Sequence, residues 1–532
     1  MAAVTAESTG SSISRPRPPI LIKSRWEAII GLEIHTQIKS TTKLFSASST
    51  SFNAPSNIHV SPIDAAYPGT LPHLSQECVD LAIKTSLALN ASINRVSSFD
   101  RKHYFYPDLP QGYQITQHYA PLSKNGFIKL TPLDGLDYSL DVGIEQLQLE
   151  QDTGKSLHDV YPGMTLIDLN RAGTGLMEIV TKPDMRSSQE AGILIKKLQA
   201  LLRAVGSSDG NMDEGSLRCD VNVSVHQIGQ PYGARCELKN LNSVKFVSDA
   251  IDAEITRQIQ SYEDGVPVVQ ETRGYDVSTS TTFRLRSKEN APDYRYMPEP
   301  DLPRLILSQE TIDRIKASLP ELPDIQRERL MTQYSLGLIE CRTLMGEEGM
   351  VPYFEQVVIG RKVKSAISWT IHELLGRLHA RSLSFGESTV TSSQLGSLVD
   401  CVDDGTISAK MGKQVLNLMI AGDARDATAI IDDKGWRQLD NTEDLDKMCD
   451  EVMAKYPDKV KAIQSGNVGV VGFLMGQLMA QSKGRANPVT LNANLRAKLG
   501  LPPTAGNAKG SGRGDTASRA TSGANGGKDR RK

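Results

Sequence analysis

Four stretches of this sequence place charged or polar side chains two residues apart. That spacing sends alternate side chains to one face of a β-strand. Across residues 28–38, Glu33, His35 and Gln37 fall on one side, while Leu32, Ile34 and Ile38 fall on the other and can anchor a core. Leu147-Gln148-Leu149-Glu150-Gln151-Asp152 groups Gln148, Glu150 and Asp152. Residues 217–225 are apolar at odd positions and present Arg218, Asp220, Asn222 and Ser224 at even ones. Arg235-Cys236-Glu237-Leu238-Lys239 aligns Arg235, Glu237 and Lys239, and Glu214 sits in an Asp213-Glu214-Gly215-Ser216 turn just before one of these strands. If the strands share a sheet, one concave face gathers Glu33, His35, Glu150, Asp220 and Glu237, with Arg218 and Lys239 beside them. Like charges held together in a low dielectric demand protonation or a cation. Carboxylate oxygens with at most one imidazole suit Mg²⁺ better than zinc. Neighbouring Arg and Lys then suit a polyphosphate that the metal would bridge. For any one strand alone, the solvated face of a half-buried antiparallel strand is the simpler reading. Repetition over four strands argues against it, although periodicity does not show that the strands converge.

Familiar nucleotide and hydrolase motifs fail. Thr153-Gly154-Lys155-Ser156 ends like a P-loop, but Leu149 stands where the first glycine belongs. Gly173-Thr174-Gly175 lacks the rest of a dinucleotide fingerprint, and there is no G-x-S-x-G elbow or H-E-x-x-H helix. His35, His103, His118 and His158 have no spacing that marks a zinc site.

The elements that must position these residues read as α+β. Residues 26–305 are strand-rich and glycine-punctuated, with helical periodicity over 80–91, 189–205 and 247–262 and no regular strand–helix alternation. This predicts one large mixed domain with an antiparallel sheet over 26–319. Beyond Pro303 strand signals fade. Helices are expected at 311–319, 323–334, 337–346 and 367–383, giving a helical domain over 320–391. Further helices at 394–404, 410–421, 442–456 and 467–482 make an all-α tail domain over 392–501. Residues 502–532, rich in Gly, Ser, Ala, Thr and basic residues, cannot bury enough apolar surface to order and are expected to be disordered.

With 532 residues the chain is too long for a single core, and its 39% apolar and 23% charged composition is that of an ordinary soluble protein. No apolar run reaches the roughly 20 residues of a membrane span, so an integral membrane segment is not expected. A net charge of −2 argues against a generally basic nucleic-acid coat but leaves room for a local basic surface. Six scattered cysteines without a C-x-x-C pair read as reduced thiols. Residues 1–25 carry Arg15, Arg17, Lys23 and Arg25 against one acid, Glu7, and lack an apolar run. This is the composition of a disordered organelle-import leader, although Pro16, Pro18 and Pro19 would interrupt an amphipathic helix.

Several longer segments carry a resemblance. Phe99-Asp100-Arg101-Lys102-His103-Tyr104-Phe105-Tyr106-Pro107-Asp108-Leu109-Pro110-Gln111-Gly112-Tyr113 resembles a signature of the B subunits of glutamyl-tRNA(Gln) amidotransferases. So do Gly31-Leu32-Glu33-Ile34-His35, Tyr67-Pro68-Gly69-Thr70-Leu71-Pro72, Asp168-Leu169-Asn170-Arg171-Ala172-Gly173-Thr174, Glu237-Leu238-Lys239-Asn240-Leu241-Asn242 and Asp293-Tyr294-Arg295-Tyr296-Met297-Pro298. Gly472-Phe473-Leu474-Met475-Gly476 and Lys483-Gly484-Arg485-Ala486-Asn487-Pro488 look like that family's YqeY-type tail. The resemblance spans residues 26–501.

The resemblance implies a catalytic cradle domain followed by helical and YqeY-like tRNA-binding domains. It implies ATP- and Mg²⁺-dependent phosphorylation of the glutamate side chain of mischarged Glu-tRNA(Gln), then conversion to Gln-tRNA(Gln). Ammonia would come from glutamine through a separate glutaminase, the amidase component of the complex, with a small accessory subunit alongside. By the same resemblance Glu33, His35, Glu150, Glu214, Asp220 and Glu237 surround the metal, with Glu33, His35, Glu150 and Glu237 also in the catalytic group. Lys155, Arg218 and Lys239 take ATP phosphates. The mitochondrial matrix is the expected location, with the cytoplasm as the alternative for a bacterial chain.

Two departures stand out. Many relatives have two adjacent acids where Glu150-Gln151 stands, and some carry zinc-binding cysteines around Ser46-Ala47-Ser48 and Ser61-Pro62-Ile63-Asp64, where this chain has none. Two rival readings stay open on the sequence: a non-catalytic tRNA-binding protein, and a metal-dependent hydrolase acting on another substrate.

Overall fold

The computed structural model of the protein describes residues 20, 22, 25–50, 53–287, 293–438, 442–482 and 485–502. The expected leader lies almost wholly outside them, as do the expected tail beyond Pro502 and the Lys483-Gly484 pair. The chain forms two compact units, Met1–Leu338 and Ile339–Lys532.

The first unit carries the strands β1 (Trp26–Gln37), β2 (Ser92–Ile93), β3 (Val96–Ser97), β4 (Asp100–His103), β5 (Tyr113–Thr116) and β6 (Ser123–Leu130). There follow β7 (Leu140–Gln151), β8 (Lys155–Tyr161), β9 (Met164–Asp168), β10 (Gly175–Thr181), β11 (Leu217–Gln227) and β12 (Cys236–Leu241). Then come β13 (Glu271–Asp276), β14 (Thr281–Ser287), β15 (Met297–Pro298) and β16 (Leu305–Ile306). Nine of them build one sheet in the order β14-β13-β12-β11-β1-β10-β7-β6-β2. Its pairs are antiparallel, as the sequence suggests, except that β12 and β13 run parallel. That exception follows from the crossover between them, a 20-residue helix, which returns the chain to the same end of the sheet. β15, β4 and β5 form a separate three-stranded sheet, and β8 and β9 form a hairpin.

Four helices bury apolar side chains in the same core as the sheet: α1 (Gln76–Ala88), α2 (Ser188–Val205), α3 (Val244–Glu263) and α4 (Gln309–Ala317). In α2 the stripe is Leu194, Ile195, Leu198, Leu201, Leu202 and Val205, a helical repeat facing one way. The Ser187 hydroxyl accepts from the Glu190 N–H to start the helix, and Gly206 at φ +72° ends it. Against this layer pack Leu32, Ile34, Val221, Val223 and Leu238, the apolar half of the alternating strands. The opposite half of those strands, polar by sequence, is therefore left facing away from the helices.

The second unit is helical from Leu338–Gly346 to Pro488–Lys498. The segment expected as one helix over 367–383 is instead α-helix Val363–Ile367, π-helix Ser368–Leu375 and α-helix Gly376–His379. Four further helices were not expected from the sequence: Met350–Val357, Ala427–Lys434, Pro457–Gln464 and Pro488–Lys498. Leu445, Cys449, Leu474, Leu478, Leu491 and Leu495 form a buried core among the helices near the C-terminal end.

Candidate functional site

Register brings the polar side chains together. β1 lies between β10 and β11, so His35 stands opposite Glu178 on one side and Arg218 on the other, and Glu33 stands opposite Asp220. One strand further, Glu178 stands opposite Gln148. On the far side Asn222 pairs with Glu237, which in turn pairs with Thr272. A run of polar positions thus crosses six adjacent strands on the face that the helices leave free.

At its centre Glu33, His35 and Glu178 each offer a ligand atom, and these atoms lie within 4.8 Å of one another. His35 Nε2 is 3.4 Å from Glu33 Oε1, and Gln148 Nε2 donates to Glu178 Oε2 at 2.7 Å. Glu150 is buried, with Oε2 accepting no hydrogen bond and lying 3.5 Å from the Lys102 ammonium. Three carboxylates therefore face two basic groups, and the imbalance is visible in their protonation. The hydrogen bond from His35 holds Glu33 down to about 2 against burial. Burial, reinforced by Glu150, pushes Glu178 up to about 8. Burial would lower His35, but Glu33, Glu178 and Glu150 together raise it to about 9. Burial likewise opposes the charge on Lys102, and Glu150 and Glu178 outweigh it to raise its pKa.

Beside this group Lys239 bridges Asp220 and Glu237, lying 3.0 Å from the Glu237 carboxylate. Thr272 donates to the other Glu237 oxygen at 3.0 Å. These residues floor a cavity of about 450 Å³ whose walls include Lys102, His118, Arg235, Tyr294 and Tyr296.

The structure thus gathers Glu33, His35, Asp220, Glu237 and Lys239 around one cavity, and buried Glu150 lies 3.5 Å from the lining Lys102 without itself lining the cavity. Arg218 sits at the edge of the group, with its guanidinium 3.0 Å from Asp152. Two residues are not brought in. Glu214 accepts from Asn211 Nδ2 at 3.0 Å and lines a different cavity, with Arg203 and Ser243, because the turn at Gly215 (φ +79°) directs it away from the strand that follows. Lys155 opens the β8–β9 hairpin opposite Asp168, exposed and outside the cavity lining.

Sequence reasoning missed Glu178 and Lys102. Glu178 had a signal, a single acid inside the apolar strand Leu176-Met177-Glu178-Ile179-Val180, where an unpaired charge would be costly. Lys102 had none of its own, since β4 belongs to another sheet.

The donor set fits a hard divalent cation. Two carboxylates and one imidazole converge, with a third buried carboxylate whose oxygen lacks a hydrogen bond. To ligate, His35 must release the proton its acidic neighbours now hold.

Comparison with known proteins bears on the same residues. A family model described as the GatB/GatE catalytic domain matches residues 28–313, and one described as the GatB domain matches residues 352–499. The chain is similar to the B subunits of aspartyl/glutamyl-tRNA(Asn/Gln) amidotransferases from several bacteria. The relative from Methylobacterium sp. (strain 4-46) is 46% identical over 487 residues, covering 91% of this chain and 99% of the relative. That from Azorhizobium caulinodans is 46% identical over 476 residues, covering 90% and 96%. That from Rhizobium meliloti is 45% identical over 479 residues, covering 90% and 95%.

Proposed function

The chain belongs to the GatB/GatE family, and on that premise we propose that its cavity activates the side-chain carboxylate of glutamate carried on tRNA(Gln) for amidation. A carboxylate is a poor acyl electrophile. Transfer of the γ-phosphoryl group of ATP to a glutamate oxygen makes an acyl phosphate, and attack by ammonia on the carbonyl carbon then expels phosphate. The observation that carries this reading is the Glu33–His35–Glu178 convergence beside Lys239. Glu33, His35 and Glu178 would hold Mg²⁺, with buried Glu150 close by. The bound ion would neutralise charge on the transferred phosphoryl group.

The chain's own groups do the rest. Arg235 and Lys239 reach the cavity as cations for the phosphates. Glu237, fixed by Thr272 and Lys239, keeps that lysine aimed inward. The cavity walls limit water access to an acyl phosphate that water would hydrolyse. The proposed division assigns residues 26–319 to the catalytic cradle, 320–391 to a helical domain and 392–501 to a tail that grips tRNA by its backbone and shape. Ammonia is proposed to come from glutamine through a partner amidase, with a small accessory protein in the same complex.

Reconstitution with a partner amidase, glutamine, ATP, Mg²⁺ and Glu-tRNA(Gln) tests the reading, with ATP-dependent Gln-tRNA(Gln) as the expected product. Binding of tRNA without any ATP turnover would instead leave a non-catalytic tRNA-binding protein. Mitochondrial import is a separate proposal, resting on the basic, acid-poor composition of residues 1–25, whereas the relatives named above are bacterial. A reporter fused behind those residues that stays in the cytosol would refute it.

A further inference from the structure

One wall of the cavity is aromatic, and nothing in the acid–metal chemistry uses it. Tyr294 and Tyr296 both line the cavity, as does His118. His118 and Tyr296 stack with centroids 3.8 Å apart and planes 5° from parallel, and Tyr294 closes on Tyr296 at 6.0 Å and 61°. The Lys102 ammonium lies 5.3 Å from the Tyr294 ring centroid, so the wall ends against the charged floor. Tyr119, 60% exposed, extends the aromatic surface outward from His118.

The backbone is arranged to present these rings. Arg295, between the two tyrosines, adopts φ +41°, a left-handed conformation that a residue with a Cβ disfavours. Hydrogen bonds hold it there. The His103 N–H donates to the Tyr294 carbonyl at 2.8 Å, His103 Nδ1 lies 2.9 Å from the Arg295 carbonyl oxygen, and the Arg295 N–H donates to Asp293 Oδ1 at 3.1 Å. The Arg295 side chain itself points to solvent, 79% exposed. The twist thus turns both tyrosines toward the cavity. Aromatic rings lining a cation-bearing pocket match a ligand with a flat π-system and attached phosphates.

We propose that Tyr296 and Tyr294, with His118 stacked behind Tyr296, form a stacking platform for an adenine ring. This rests on the reading of the cavity given above and identifies where the nucleoside end of a substrate lies. Two substrates carry that chemistry, ATP and the 3′-terminal adenosine of the charged tRNA, and the test separates them.

Equilibrium binding is measured on the full chain with a non-hydrolysable ATP analogue, and separately with an RNA acceptor stem ending in adenosine, for wild type, Tyr296→Leu, Tyr294→Leu and Tyr296→Phe. If the platform takes ATP, the Leu variants bind the analogue about 5- to 100-fold more weakly. In that case acceptor-stem affinity is unchanged, and analogue discrimination between adenine and a pyrimidine base narrows. If it takes the tRNA terminus, the loss falls on the acceptor stem alone. In either case Tyr296→Phe, which keeps the ring, restores binding. Affinity for both ligands within twofold of wild type in both Leu variants overturns the platform. So does a Phe variant as weak as Leu. Failure of the amidation reading looks different: wild-type complex making no amide product while both ligands still bind.

Discussion

Two of the buried charge clusters in the first unit are built on opposite principles. Behind β13, Glu254 is wholly buried yet fully matched. Arg257 reaches one oxygen at 2.6 Å, Arg273 the other at 3.2 Å, and Gln258 and Thr282 donate at 2.7 and 2.8 Å. Arg273 also pairs with Glu271. Every carboxylate here has a guanidinium partner, with Arg284 also 3.3 Å from Glu271, and α3 is tied to β13 and β14. Around His35 the balance fails, with three carboxylates to two basic groups, one carboxylate oxygen without a hydrogen bond, and Glu178 pushed up to about 8. A buried charge cluster that satisfies itself holds the fold, whereas one that does not is poised for something absent from the chain. Residues 271–273 join the two. Glu271 and Arg273 belong to the matched cluster, while Thr272 between them donates to Glu237 in the cavity.

Removing one acid from each cluster should break them in different ways. Glu178→Gln keeps size and the contact with Gln148 but removes a converging charge. It is expected to lower amidation on the order of 10²- to 10³-fold. Stability should hold or rise by about 1 kcal/mol, because burial and the neighbouring Glu150 both disfavour an ionised carboxylate there, whereas the amide carries no charge. Single-turnover amidation and hydrogen-exchange protection of β10 measure both. Unimpaired amidation, or marked destabilisation, would place Glu178 with the structural ions instead. In the matched cluster Glu254→Ala takes the shared carboxylate from buried Arg273 and half-buried Arg257, leaving them only Glu271, and should cost about 3–5 kcal/mol, read as lost exchange protection in α3 and β13. A loss below about 1 kcal/mol would show that this cluster, too, does not hold the fold.

The sequence made the strand faces legible because alternation is local. The run from Glu33 to His35, the polar positions of β11 and the Arg235-Glu237-Lys239 triplet all present the expected side. What it could not supply was pairing order. Glu178 enters because β10 is the neighbour of β1, and Lys102 because a small separate sheet lies over the cavity, both set by contacts far apart in sequence. Glu214 shows the converse error. The resemblance grouped it with the metal, but in the turn before β11 it accepts from Asn211 and lines another cavity. The aromatic wall stood in the sequence only as part of the signature Asp293-Tyr294-Arg295-Tyr296, and nothing local showed that its rings line a cavity, where Arg295 adopts φ +41° between them.

The smallest effect concerns acid and again separates the clusters. Burial would raise the Glu254 carboxyl, but hydrogen bonds from Arg257 and Gln258 outweigh it and hold its pKa below the ordinary 4.5. The folded chain therefore binds this proton less readily than the unfolded chain does. The stabilisation from the ionised form is complete above about pH 4.5 and fades as pH falls through the folded value. Glu254→Gln, which resembles the protonated acid in shape and charge, should be less stable than wild type at pH 7. The gap between the two should narrow at pH 4 and below, by less than about 1.4 kcal/mol per pH unit. Exchange protection of the α3 amides at several pH values follows that gap, once the intrinsic pH dependence of exchange is removed. A gap that stays constant from pH 7 to pH 3 would mean that Glu254 holds α3 to β13 by shape and hydrogen bonding rather than by its charge. The two clusters would then differ in packing and not in electrostatic balance.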